Sequence, residues 1–267
     1  MELTLNKSIE LSKIIYDDAV KKYNPKATIA MVSGGNDSAT IYYLAEEFGI
    51  NLDATLHINT RTGIRETTEF VRETFDGLIE VDAGTAYEDY VLRKGFFGVG
   101  IQAHAISYHI LKAGPLRKAI SHEFRKRRRN YPVFLLNGRR SDESANRKGR
   151  NLSVVDRDLS MPNNIWVSII QHWTQENRDE YLKARRVECS PVAKAICRSG
   201  ECMCGTMQSQ AERIEAATIY PEWGKWLKDL EAEVNKKFPW KWGQQPDRSH
   251  FNGQQDLFQP MCTDCLK

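Results

Sequence analysis

Apolar residues recur along the chain at two spacings. Residues 1–23 place Ile9, Leu11, Ile14, Ile15 and Val20 at helical intervals, which predicts an amphipathic helix with those side chains inward. Residues 27–32, Ala-Thr-Ile-Ala-Met-Val, lack a polar face and read as a buried strand. Similar short runs follow at 53–58, 78–81, 132–137 and 164–170. Helical stretches at 39–48 and 67–75 separate the first three. That β-α-β-α-β order predicts an α/β fold, a doubly wound parallel sheet. Downstream, the pattern predicts a short helix over 87–93 and a glycine-rich loop over 95–100. One or two helices should follow over 104–129, broken at Gly114 and Pro115. A helix capped by Thr174 should run to about Arg185. Residues 208–237 read as helices with Ile214, Ile219, Trp223, Trp226 and Leu230 as core.

The junction between the first strand and the first crossover helix carries Ser33-Gly34-Gly35-Asn36-Asp37-Ser38. Two glycines let backbone N–H groups converge on an oxyanion. The helix N-terminus adds partial positive charge, and Ser33 and Ser38 add hydroxyls. The loop lacks the lysine and spacing of a Walker A motif, so it is a phosphate loop of another kind. In a doubly wound sheet, ligands sit beyond the carboxyl ends of the strands. The segment after the second strand (59–67) and the segment after 132–137 therefore fall on the same edge. The latter begins Gly138-Arg139-Arg140, and guanidinium forks suit phosphate and sulfate.

Hydrophobic residues make up 41% and charged residues 27% of the 267, ordinary for a globule with a sizeable core. The chain shows no apolar run long enough to span a bilayer and no signal peptide, so a cytoplasmic protein with no membrane partner is expected. The net charge of +3 is uneven. Residues 117–150 hold twelve Lys/Arg against three acids, a net +9 that leaves −6 for the remainder. Such a concentration suits a polyanion, either a nucleotide or a nucleic acid gripped through Arg117 to Arg150; Arg125 to Arg129 alone would also serve as a solvated helix face.

All six cysteines lie in the last third. Clustering of this kind favours a metal or redox site over a disulfide framework. Cys202-x-Cys204 and Cys262-x-x-Cys265 supply four thiolates, enough for a zinc or a 4Fe–4S cluster. Cys197 is a further ligand or a reactive thiol, and Cys189 reads as a core residue. A metal joining the two knuckles would dock the aromatic tail (Phe238, Trp240, Trp242, Phe251, Phe258) onto the sheet.

The order of these motifs resembles the phosphoadenosine phosphosulfate reductase family, within the PP-loop, adenine nucleotide α-hydrolase-like fold. Residues 33–38 look like its PP-loop. Asn59, Thr60, Gly63, Glu66 and Thr67 look like its "DTG…ET" segment, with Asn59 where Asp is usual. His104, Tyr108, Leu111 and Lys112 sit in a segment similar to its substrate-facing helix. Gly138, Arg140, Glu143, Ser144 and Arg147 resemble its "G-x-R-x-x-E-S-x-x-R" element. Residues 168–174 are similar to its "PI-x-x-W-t" segment.

The resemblance implies an enzyme with a nucleotide-binding α/β domain (1–190) and a cysteine-rich, cysteine-ligated helical appendage (191–267) packed on it. Nucleotide contacts are expected from Ser33, Gly34, Gly35, Asn36, Asp37, Ser38, Thr60, Gly63, Gly138, Arg139 and Arg140. Substrate contacts are expected from His104, Lys112, Arg117, Glu143, Ser144 and Arg147. Asp37, Arg140 and Cys197 are the catalytic candidates, and Cys197, Cys202, Cys204, Cys262 and Cys265 the metal ligands. The cofactors implied are ATP or a sulfated adenine nucleotide, Mg²⁺, and a 4Fe–4S cluster or zinc at the cysteines. Three activities compete. One activates an acceptor at the α-phosphorus for sulfur transfer. The second is sulfonucleotide reduction, although the C-terminus departs from the Glu-Cys-Gly-Leu type. The third is a nucleic-acid-binding module on the same scaffold.

Overall fold

The computed structural model describes residues 3–124, 131–143, 153–158 and 161–247. Its centre is a six-stranded sheet of order β3-β2-β1-β4-β6-β5. The strands are β1 (Ala27–Val32), β2 (Ala54–Asn59), β3 (Leu78–Asp82), β4 (Val133–Leu136), β5 (Val155–Arg157) and β6 (Asn164–Val167). All neighbours are parallel except β5, which runs antiparallel along β6 as the edge strand. Helices α2 (Asn36–Glu47) and α3 (Arg65–Thr74) are the first two crossovers. The chain moves outward from β1 to β3 and then returns to place β4 on β1's other side. The winding thus reverses between β1 and β4, and a crevice opens there.

The central strands are buried almost throughout because both faces are covered. On one face, α1 (Leu5–Tyr23), α2, α3 and α7 (Gln175–Ala184) pack around Ile41, Leu44, Phe134 and Trp173. On the other, α6 (Gly114–Phe124) lays Leu116 and Ile120 against Ile29, Leu56 and Leu135. A third cluster joins α4 (Ala86–Lys94), α8 (Pro191–Ile196), α9 (Gln210–Ile219) and α10 (Pro221–Val234) around Trp223, Trp240 and Trp242. No helix among the described residues is long and apolar enough to cross a membrane.

Several elements depart from the sequence reading. In α1 the buried face is Ser8, Ser12 and Ala19, while Ile14 is exposed. The serines are buried because they are bonded. Ser12 Oγ donates to the Ile169 carbonyl at 2.7 Å, and the Trp173 indole donates to Ser12 Oγ at 2.9 Å. The helical region after residue 100 is not broken at Gly114 and Pro115. Between α5 (Ile101–Tyr108) and α6, residues His109–Ala113 form a π-turn, and Gly114 N–H bonds the His109 carbonyl. The wider turn accommodates Pro115, which has no N–H. Ile214 and Ile219 are exposed, whereas Trp223 and Leu230 are core. Thr174 caps α7 as expected, its hydroxyl accepting from Asn177 N at 3.2 Å. Cys189 packs half-buried against the first cluster.

Candidate functional site

A cleft of about 820 Å³ opens at the carboxyl end of the sheet. One wall is the loop after β1. Gly34 takes φ 72°, a left-handed conformation that suits glycine, and a Cβ there would lie 2.8 Å from Thr67. Gly34 therefore faces α3, while Ser33, Gly35, Asn36, Asp37 and Ser38 line the cleft. Ser38 Oγ accepts from Ser33 N at 3.1 Å and donates to the Gly35 carbonyl at 2.8 Å, which ties the loop to the first turn of α2. A Cβ on Gly35 would lie 3.2 Å from the Ser199 Cβ, so a larger residue there would press on the neighbouring segment. Beneath the loop, the buried His57 ring lies 3.0 Å from the Val32 carbonyl and 3.4 Å from Thr68 Oγ1.

Arg140 and Arg178 converge on Asp37. Arg140 Nε donates to Asp37 Oδ1 at 2.7 Å, and Arg178 Nη1 donates to the same oxygen at 3.2 Å. Arg140 is 3% exposed, and its Nη1 is buried without a hydrogen-bond partner. Burial opposes the charge on Arg178, but Asp37 and Asp179 hold its pKa above the usual arginine value. Two guanidinia thus share one carboxylate oxygen at the N-terminus of α2. Gly138 permits the approach, since a Cβ there would sit 2.7 Å from Asp37 backbone. Arg139 also lines the cleft but braces the sheet edge, donating to Asp156 at 2.9 Å and to Gln171 at 3.3 Å.

The opposite wall comes from residues 197–204 and α5–α6. Lys112 Nζ donates to Glu201 Oε2 at 2.5 Å. Burial works against the ammonium, yet the Glu201 carboxylate, with Cys202 beside it, holds the Lys112 pKa above the usual lysine value. Cys197, exposed and at φ 54°, also lines the cleft. The 199–204 segment is clamped onto the segment after β2. Thr60 Oγ1 donates to the Glu201 carbonyl at 2.8 Å, Ile64 N to that of Gly200 at 2.8 Å, and Thr67 Oγ1 to that of Ser199 at 2.7 Å. A Cβ on Gly63 would lie 2.2 Å from the Glu201 carbonyl oxygen. Thr60 and Gly63 are therefore covered by the chain's own backbone rather than open to a nucleotide.

Cys202 and Cys204 meet behind this wall. A hydrogen bond from Cys202, helped by Thr206 and Ser107, holds the Cys204 pKa below the ordinary thiol value against its burial, while the same contact and burial push that of Cys202 up. Among the described residues, no three His, Cys, Asp or Glu side chains converge as a metal-binding group. His104 lies outside the cleft lining and bonds Thr206 Oγ1 at 3.2 Å. Arg117 also lies outside it and pairs with Asp158 at 3.0 Å. Glu143 ends a short turn, Ser141–Glu143. Ser144, Arg147, Arg125 to Arg129, Phe251, Phe258, Cys262 and Cys265 lie outside the described residues. The tail's Trp240 and Trp242 dock through indole bonds of 2.9 Å to the Phe96 and Met203 carbonyls.

Arg178 was missed by sequence reasoning, although Thr174 marks the start of its helix. Its role depends on how α7 docks, which spacing does not reveal. Helix α8 had a readable signature, Ser190 as N-cap followed by Pro191.

No curated protein sequence matches the chain. Among solved structures, the chain is similar to the phosphoadenylyl-sulfate (PAPS) reductase of Candida auris in a phosphate complex, at 13% identity and TM-score 0.50, covering 73% of this chain and 93% of that one. It is also similar to the Candida glabrata FMN adenylyltransferase in complex with FAD and inorganic pyrophosphate, at 15% identity and TM-score 0.48, covering 72% of this chain and 61% of that one. The likeness to the reductase is one of fold. The family match is one of sequence: residues 27–207 match the phosphoadenosine phosphosulfate reductase domain, and the chain belongs to that family.

Proposed function

We propose that the cleft binds an adenine nucleotide by its phosphates and that the protein is an enzyme acting at the α-phosphorus, activating an acceptor for sulfur transfer with release of pyrophosphate. The observation that carries this reading is the buried, unpartnered Nη1 of Arg140 beside Asp37 at the N-terminus of α2. A guanidinium N–H left without an acceptor in a dry wall is costly, and an incoming phosphate oxygen supplies one. Arg178 raises the local positive charge, and the loop N–H groups complete the cradle. Asp37 orients both arginines. Mg²⁺ bound with the nucleotide would neutralise part of the phosphate charge.

Cys197 is the candidate for the reactive thiol, because it is exposed and lines the cleft. Cys202 and Cys204 supply two neighbouring thiols, the soft donors that zinc and iron–sulfur clusters take, and with Cys262 and Cys265 would hold such a group in a structural role. Calorimetry with ATP and Mg²⁺ tests the binding: Arg140→Met should weaken it at least tenfold. Product analysis tests the reaction. AMP and pyrophosphate formed only with an acceptor support sulfur transfer, whereas sulfite formed from a sulfonucleotide with a thiol reductant would replace it with reduction.

A further inference from the structure

Glu201 is a cleft residue that the proposed chemistry leaves unused. Its side chain is only 4% exposed. Oε2 accepts from Lys112, but Oε1 is buried with no hydrogen-bond partner. The residue lines the cleft opposite the phosphate loop. Its backbone is pinned by Thr60 and by the close approach of Gly63, so the carboxylate is held where it stands. A buried carboxylate oxygen without a donor calls for one from a ligand.

We propose that Glu201 Oε1 accepts a hydrogen bond from a ribose hydroxyl of the bound nucleotide, and that it thereby selects an unphosphorylated ribose over a phosphorylated one. This rests on the reading that the cleft binds an adenine nucleotide. The charge of Lys112 is already matched by Glu201, so the pair offers no net attraction to a ribose phosphate. The spare lone pairs of Oε1 repel one, and a buried acceptor site discriminates strongly against a group that cannot donate. Such a wall favours ATP over a 3′-phosphorylated sulfonucleotide.

Titration calorimetry of the full chain with AMP and with adenosine 3′,5′-bisphosphate tests this. The wild type should bind AMP at least about tenfold more tightly. Glu201→Gln keeps the shape, removes the charge and frees Lys112, so the preference should vanish or reverse. Lys112→Met does the opposite and should widen the preference, which gives a second reading should the glutamine variant fold poorly. 3′-Deoxy-AMP should bind weakly to wild type and lose that penalty in Glu201→Gln, whereas a penalty found only for inosine monophosphate would assign the carboxylate to the adenine amine and overturn the ribose selection. Equal wild-type affinity for AMP and the bisphosphate, or a ratio unmoved by both variants, overturns this inference alone. Absence of binding by any nucleotide overturns the nucleotide reading itself and this inference with it.

Discussion

The loop wall of the cleft is built mostly from residues adjacent in the chain, and the opposite wall from residues that meet only on folding. In the first, β1 delivers a glycine turn directly into α2, and Ser38 bonds back to Ser33 and Gly35 within five residues. In the second, Lys112 reaches Glu201 across 89 positions and Thr60 reaches the Glu201 carbonyl across 141. The loop wall carries excess positive charge around one shared carboxylate. The opposite wall is a neutralised pair with a spare acceptor oxygen. A nucleotide has the same asymmetry, with anionic phosphates at one end and neutral hydrogen-bonding groups at the other.

If the two walls are independent, loosening the distant one should spare the loop. Trp242 is fully buried and donates to the Met203 carbonyl at 2.9 Å, which holds the 199–204 segment from behind. Trp242→Ala should cost about 3–5 kcal/mol in urea unfolding, the usual range for a buried tryptophan. Binding of inorganic pyrophosphate should survive where the protein remains folded, while AMP binding weakens. An equal loss of both ligands would break the division. Gly63→Ala attacks the same wall at one point. Its Cβ would lie 2.2 Å from a backbone oxygen, so the 199–204 segment must move, at a cost of about 2–3 kcal/mol. An unchanged melting temperature would show that the clamp is loose.

Arg140→Met acts on the other wall. Pyrophosphate affinity should fall about 10–100-fold, with stability little changed because Asp37 keeps Arg178. Arg140→Lys should not restore it, since a point charge cannot reproduce a guanidinium that bonds Asp37 through Nε while presenting Nη1. Full recovery by lysine would mean that the site reads charge alone.

The same contrast explains what the sequence made legible. Strands β1 to β4 and the loop follow from contiguous apolar runs and one local motif. Arg140 was found because it follows a buried strand directly. The serine face of α1 gives no apolar signal because Ser8 and Ser12 are buried by bonds to Asn177 of α7 and to Trp173 just before it, more than 150 residues away. Strand β5 is three residues long, too short to show a period. Glu201 carries no sequence signal of its own beside the cysteines, because its setting is made by Lys112 and by the turn at Gly63. The sequence places Thr60 and Gly63 on the ligand edge, and the folded chain covers them with the 199–204 backbone.

The smallest expected effect tests whether the loop wall is as local as it looks. Arg178 arrives from α7, 141 positions from Asp37, and it too bonds Asp37 Oδ1. Its contact is longer than that of Arg140, at 3.2 Å against 2.7 Å. Part of its charge is already met by Asp179 at 2.7 Å. It should therefore act chiefly by steadying Asp37, and Arg178→Met should weaken pyrophosphate binding only about threefold, roughly 0.6 kcal/mol. A double-mutant cycle with Asp37→Asn separates steadying from direct contact. If Arg178 works through Asp37, its effect should disappear once the carboxylate is gone. If the loss persists or grows in the Asp37→Asn background, Arg178 grips the anion itself. The phosphate end would then depend on two long-range contacts rather than on Arg140 alone, and the contrast between the two walls would narrow to one of charge.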